Sequence, residues 1–207
     1  MNATTSTGEE TAKSCIERVL DAIDAANAQD PNQIEVDGEM HPAELVYGQR
    51  MSAMLGELHP DASCALQLAV RAQHIRRWVV PRSDYPMDRK GYLRWRADLK
   101  TRHAEMASEV MAECGCPPKQ IERVSVLVRK QGAKRDPEAQ AVEDCACLVF
   151  LAHYFADFAA KHDDEKLVNI IRKTWRKMSE PAREAALELK LAPRLSGLVE
   201  KALSEPA

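Results

Sequence analysis

Residues 139–161 read AQAVEDCACLVFLAHYFADFAAK. From Cys145 to Ala160 the segment is apolar nearly all round. A helix with no polar face must be surrounded by other elements. The stretch therefore predicts the central, most buried helix of an all-α protein. Asp136-Pro137-Glu138 gives it a capped start. Its polar intrusions are Glu143, Asp144 and His153.

The segments on either side are amphipathic and helical, rich in Ala, Leu, Glu, Arg and Lys. Residues 10–27 place Ile16, Val19, Leu20 and Ile23 on one face, and Asp30-Pro31-Asn32 ends that helix. IEVDGEM reads as a turn around Asp37-Gly38. His41-Pro42-Ala43-Glu44 opens the next helix, with proline in the first turn and Glu44 at the positive end of the dipole. Leu58-His59-Pro60 stops it, and Asp61 or Ser63 can cap the helix after it. A long helix begins after Gly91 and ends at Cys114-Gly115-Cys116-Pro117-Pro118. Another spans about 119–130, and three more cover about 164–177, 180–190 and 194–203. No repeat or composition break divides the chain. The expectation is a single helical domain over 11–205, a multi-helix bundle, behind a disordered lead over 1–10.

Composition narrows the function classes. The formal charge is -3, so no global basic field argues for nucleic acid. No apolar run approaches the ~20 residues of a membrane helix, and residues 1–14 lack an apolar signal core. A cytoplasmic protein is expected. The six cysteines are then expected to be reduced thiols. Cys114 and Cys116 form a C-x-C pair with no second pair at zinc-finger spacing.

LQLAVRAQHIRRW (66–78) carries the first sign of a site. Leu66, Ala69, Ala72 and Ile75 form a helical stripe, and Gln73 and His74 interrupt it. Buried polar groups need partners. Four helical segments each offer one nitrogen or carboxylate donor: His41 (or Glu44), His74, His103 and Asp144. Such donors suit iron, manganese or zinc, and bundles build metal sites from inward-facing side chains of different helices. The plainer reading makes each histidine a hydrogen-bonded core or surface residue. Glu44 or Glu143 would orient a ligand or act as general base. Downstream, Arg76, Arg77, Arg82 and Arg89 interleave with Trp78, Tyr85, Tyr92 and Trp95. Arginine forks bind phosphate or carboxylate. Arg50, Arg76, Arg77, Arg82, Tyr85 and Arg89 are the candidate contacts to a small anionic substrate; the alternative is a solvated basic face.

HPAELVYGQRMSAML (41–55), LAVRAQHIRRW (68–78), YPMDRKGYLRWR (85–96), RDPEAQAVEDCACLVFL (135–151) and IIRKTWRKMS (170–179) resemble a bacterial and fungal family described only as a domain of unknown function, number forty-two-zero-two. Some members are labelled glutamyl-tRNA synthetase, but no synthetase nucleotide motif occurs here. The order of donors is also similar to that of the HD-domain superfamily, all-helical metal-dependent phosphohydrolases with a few diiron oxygenases. That resemblance implies His41 as the first histidine, Asp144 as the last aspartate and His103 as the extra histidine of dinuclear members. Gln73-His74 stands where that superfamily has His-Asp. The implied function is a metal-dependent enzyme hydrolysing a small phosphorylated or otherwise anionic substrate. The alternatives are a non-haem iron oxygenase and a metal-free binding module using the arginine and aromatic surface.

Overall fold

A computed structural model describes residues 14–132 and 135–204. The lead expected over 1–10 lies outside the described residues. Among the described residues the fold is all-α apart from one short hairpin. In order come α1 (Cys15–Asn27), β1 (Gln33–Val36), β2 (Glu39–Pro42), α2 (Ala43–Leu58), α3 (Cys64–Arg71), α4 (Arg89–Glu113), α5 (Pro118–Val128), α6 (Pro137–Val149), α7 (Phe155–Ala159), α8 (Asp164–Trp175), α9 (Glu180–Leu187) and α10 (Pro193–Ser204). No described helix is long and apolar enough to cross a membrane.

α6 is the axis of the bundle, as its apolar sequence requires. It packs against α2, α3, α5 and α9. Ala141, Val142, Cys145, Leu148 and Val149 are buried on it. One hydrophobic cluster draws side chains from every helix between α1 and α10, which makes the described chain a single domain. The long apolar segment is not one continuous α-helix. A five-residue π-turn, Phe150–Tyr154, separates α6 from α7.

Two local expectations need correction. IEVDGEM is not only a turn: β1 and β2 pair antiparallel, with Ile34 opposite His41. Asp37 and Gly38 have φ of 53° and 85°, the positive pair that a two-residue hairpin turn requires. His41 is therefore a strand residue and not the start of a helix.

The helix expected over 66–78 ends early, at Arg71. The chain then runs through a turn to Arg76, which is left-handed at φ 47°. The cause is a long-range bond. The Arg76 backbone N–H donates to Asn27 Oδ1 at 2.9 Å, and Gln73 Nε2 donates to the Val128 carbonyl at 3.1 Å. Asn27 Nδ2 also donates to the Glu44 carbonyl at 3.4 Å. Asp30 Oδ2 accepts the Glu44 N–H at 3.0 Å. The end of α1 thereby fixes both the first turn of α2 and the turn after α3.

Asp144 is a second structural polar residue. It is 2% exposed and sits on α6 facing the start of α9. Its carboxylate accepts the Ser179 N–H at 2.8 Å and the Ser179 hydroxyl at 2.6 Å. Gln140 Nε2 donates to it at 2.9 Å. Ser179 in turn caps α9.

These contacts set the stability of two variants. Asn27→Ala removes the acceptor of the part-buried Arg76 N–H, and should cost about 1–2 kcal/mol in urea unfolding. Asp144→Ala strips three donors of their acceptor and should cost about 2–4 kcal/mol. Asp144→Asn keeps one acceptor oxygen and should recover part of that loss. Equal stability of wild type and Asp144→Ala would contradict the structural assignment.

Candidate functional site

The principal cavity has a volume of about 770 Å³ and lies between α2, the turn after α3, α4, α6 and α8. Glu44, in the first turn of α2, reaches it from one side. The turn ordered by Asn27 delivers His74 and Arg77, and α4 delivers Trp95, Arg96, Lys100 and His103. Glu143, Cys147, Phe150 and Tyr154 come from α6 and the π-turn, and Lys173 and Lys177 come from the end of α8 and just beyond. A shallower cleft of about 740 Å³ shares Tyr92, Phe158, Ile170 and Lys173 with this cavity.

Glu44, His74, Tyr47 and His103 form one cluster. His74 Nδ1 stands 3.2 Å from Glu44 Oε2. Tyr47 stacks flat on the His74 imidazole, with centroids 3.9 Å apart and planes at 9°. The His103 ring lies 5.7 Å from His74, tilted by 47°. Arg77 Nη1 is 3.7 Å from Glu44 Oε1, and its guanidinium lies 5.2 Å over the Trp95 ring. Trp95 is itself fixed by a 2.9 Å bond from its indole N–H to the Val80 carbonyl.

The electrostatics separate these groups. Burial pushes the Glu44 carboxyl up to about 7; Arg77 opposes the rise and Asp30 adds to it. Burial drives His74 well below the ordinary imidazole value, and Arg77 and Lys130 repel a further charge there. His103 falls to about 3 for the same first reason, with His74 and Arg77 adding to it. Both imidazoles are neutral at pH 7. Burial also keeps Tyr47 a phenol throughout the ordinary pH range. The one group in this cluster that titrates near neutrality is Glu44.

Glu143 has a different environment. Lys130 Nζ is 2.9 Å from one carboxylate oxygen and Lys177 Nζ 3.3 Å from the other. Burial works against the charge, but the two lysines outweigh it and hold the carboxyl at about 2. A carboxylate so stabilised is a poor base at neutral pH. Glu143 anchors the two lysines.

The cavity lining holds six cationic side chains, Arg77, Arg96, Lys100, Lys130, Lys173 and Lys177, against two carboxylates. Burial lowers the Lys100 pKa, and the charge of Lys130 lowers it further. Three buried polar atoms on cavity-lining residues, Arg77 Nε, His103 Nε2 and the Tyr154 hydroxyl oxygen, have no hydrogen-bond partner among the described residues. His103 is only 4% exposed. Unpartnered buried nitrogens cost free energy and mark where a ligand atom or water would be welcome.

The expected metal set is not brought together. His74 and His103 are neighbours, but His41 is on β2, 41% exposed and 3.8 Å from Glu39. Asp144 is committed to Ser179 on the far side of α6. Among the described residues, no group of three or more His, Cys, Asp and Glu side chains is placed to hold a metal ion.

Of the expected anion contacts, Arg77 lines the cavity. Arg50 sits behind its wall, 5.3 Å over the Tyr154 ring. Arg76 contributes its backbone to the turn and leaves its side chain exposed. Arg82 ties its own loop to the carbonyls of Tyr85 and Pro86 at 2.9 and 2.6 Å. The Tyr85 hydroxyl donates to Asp98 at 3.0 Å, and Arg89 is exposed at the start of α4. The arginine cluster is therefore mostly loop architecture.

The cations facing the cavity are largely lysines that the sequence reading passed over: Lys100, Lys130, Lys173 and Lys177. The signal for two of them was spacing, because Lys173 and Lys177 are four apart and share a helical face.

No curated protein and no solved structure matches the chain. One family model does, over residues 17–199, which is nearly the whole described chain. The segments that carry the sequence resemblance also build the cavity: 41–55 brings Glu44 and Tyr47, 68–78 brings His74 and Arg77, and 170–179 brings Lys173 and Lys177. The chain belongs to the family described as "Domain of unknown function (DUF4202)".

Proposed function

We propose that this protein is an enzyme that binds a small phosphorylated molecule in the 770 Å³ cavity and hydrolyses it. The observation that carries the reading is the position of Glu44: a carboxyl poised near pH 7 inside a cavity ringed by cations. A general base works best with a pKa near the operating pH. Cationic side chains around a phosphoryl group offset its charge and the charge that develops during transfer. The aromatic wall of Trp95, Phe150 and Tyr154 suits an organic portion beside the phosphate.

Glu44 and His74 act as a unit in this reading. Above pH 7 Glu44 is ionised and accepts from the Nδ1–H of neutral His74. That bond selects the tautomer whose Nε2 is an acceptor. Tyr47 holds the ring in plane. The pair takes one proton from the attacking water, and the proton resides on Glu44 because both imidazoles resist charge. Arg77, bound to Glu44 on one side and stacked on Trp95 on the other, orients the carboxylate and contributes positive charge. Lys130 and Lys177, held by Glu143, supply ammonium groups to the phosphate oxygens. The donors expected for a metal ion are dispersed, with His41 on the hairpin and Asp144 bound to Ser179.

Phosphate release from a panel of phosphomonoesters and pyrophosphate tests this reading. Glu44→Gln should lower kcat by about 100-fold or more, with KM little changed. Lys177→Ala should raise KM by about tenfold or more through loss of a charge-assisted contact. The wild-type rate should fall as pH drops through about 7, since protonation removes the base, and Glu44→Gln should lose that limb. Absence of pyrophosphate binding by calorimetry, or full turnover in Glu44→Gln, would overturn the proposal.

A further inference from the structure

Cys15 opens α1 and Cys116 lies in the turn between α4 and α5. They are 101 residues apart in sequence, yet their Sγ atoms stand 3.0 Å apart. A disulfide bond is about 2.05 Å long, so closing this pair takes an approach of roughly 1 Å. Both backbones are held in place. Ser14 and Glu17 form a capping box around the first turn of α1. The Cys116 N–H donates to the Met111 carbonyl at 2.9 Å, and Gly115 turns the chain at φ 76°. Arg18, one turn after Cys15, reaches the Cys114 carbonyl at 3.5 Å. Neither thiol lines the phosphate cavity.

We propose that Cys15 and Cys116 are a redox modification site: hydrogen peroxide oxidises the pair to an intramolecular disulfide that staples α1 to the α4–α5 corner. Cys15 is the more exposed of the two, and Cys116 is 7% exposed. Burial pushes the Cys116 thiol up to about 12, which leaves Cys15 as the first nucleophile. The Cys15 sulfur attacks one peroxide oxygen and the O–O bond breaks. A sulfenic acid forms on Cys15, and the other oxygen leaves as water after taking a proton. The Cys116 sulfur then attacks the sulfenic sulfur, its proton leaves with the hydroxyl, and a second water departs. Two thiols lose one electron each, and one peroxide is reduced to two waters. Thiol reductants reverse the bond by exchange.

The other cysteines are placed differently. Cys145 and Cys147 are buried on α6, Cys64 is exposed, and Cys114 is half-buried two residues from Cys116.

The test uses the full chain treated with hydrogen peroxide, then with N-ethylmaleimide under denaturing, non-reducing conditions. The expected product has two fewer reactive thiols than the six of the reduced chain. Trypsin should then give a joined pair of peptides, 14–18 and 103–119, with fragmentation placing the bond at Cys116 and not Cys114. The oxidised wild type should melt several degrees higher than the reduced protein, because the cross-link restrains a long loop in the unfolded chain. Dithiothreitol should abolish that rise, and Cys116→Ser should not show it. Six reactive thiols after peroxide, or a bond mapped to Cys114 or Cys64, would sink the proposal. The wild-type mapping decides the matter even if a cysteine variant folds poorly.

Discussion

One buried amide holds the working parts of this molecule in register. Asn27, at the last turn of α1, binds the Arg76 N–H with its oxygen and the Glu44 carbonyl with its nitrogen. An interior amide so engaged has geometric consequences, because its two ends cannot be exchanged without unpairing both partners. Asp30 adds a second tie to the Glu44 backbone. α1 touches the cavity nowhere, yet it decides where Glu44 begins α2 and where the chain leaves α3. The 3.2 Å separation of His74 and Glu44 is the product of those two decisions.

Charge around the cavity is arranged just as definitely. Two carboxylates face it, and their environments differ sharply. Glu143 lies between two lysines and is a permanent anion. Among the described residues Glu44 has one close cationic side chain, Arg77 at 3.7 Å, and Asp30 is near enough to oppose its charge. Burial is common to both; the number of cations in contact separates them. The pair therefore divides labour, one carboxylate fixing ammonium groups and the other free to exchange a proton.

The bundle was legible from the sequence because its largest signals are local. The all-apolar run through Cys145–Ala160 could only be central, and the helix ends at Asn27, Leu58 and Glu113 fall near turn and proline signals. Two elements escaped for opposite reasons. The hairpin strands span four residues each, too short for an alternating pattern to outweigh the turn signal between them. The helix over 66–78 was overextended because the residues that stop it, Asn27 and Val128, are about fifty positions away in the chain. The site was legible in part. Glu44, His74, His103 and Arg77 do meet. His41 and Asp144 share the same donor chemistry but lie elsewhere, because the order of donors along the chain carries no distances. Asp144 instead satisfies a helix cap, the ordinary need of a buried carboxylate. The lysines were not singled out because a helical lysine looks the same in sequence whether it faces solvent or a cavity.

The π-turn at Phe150–Tyr154 has a consequence for the phase of the chain. It holds one residue more than an α-helical turn. In an ordinary helix each residue advances the side chains by about 100° around the axis. The extra residue therefore resets the face presented by everything after it. Ahead of the reset, Glu143, Cys147 and Phe150 line the cavity; behind it, Phe158 still does, while Phe155 remains packed in the core. Through the wide turn a single apolar segment supplies Phe150 and Tyr154 to the cavity while the next residue, Phe155, stays in the interior.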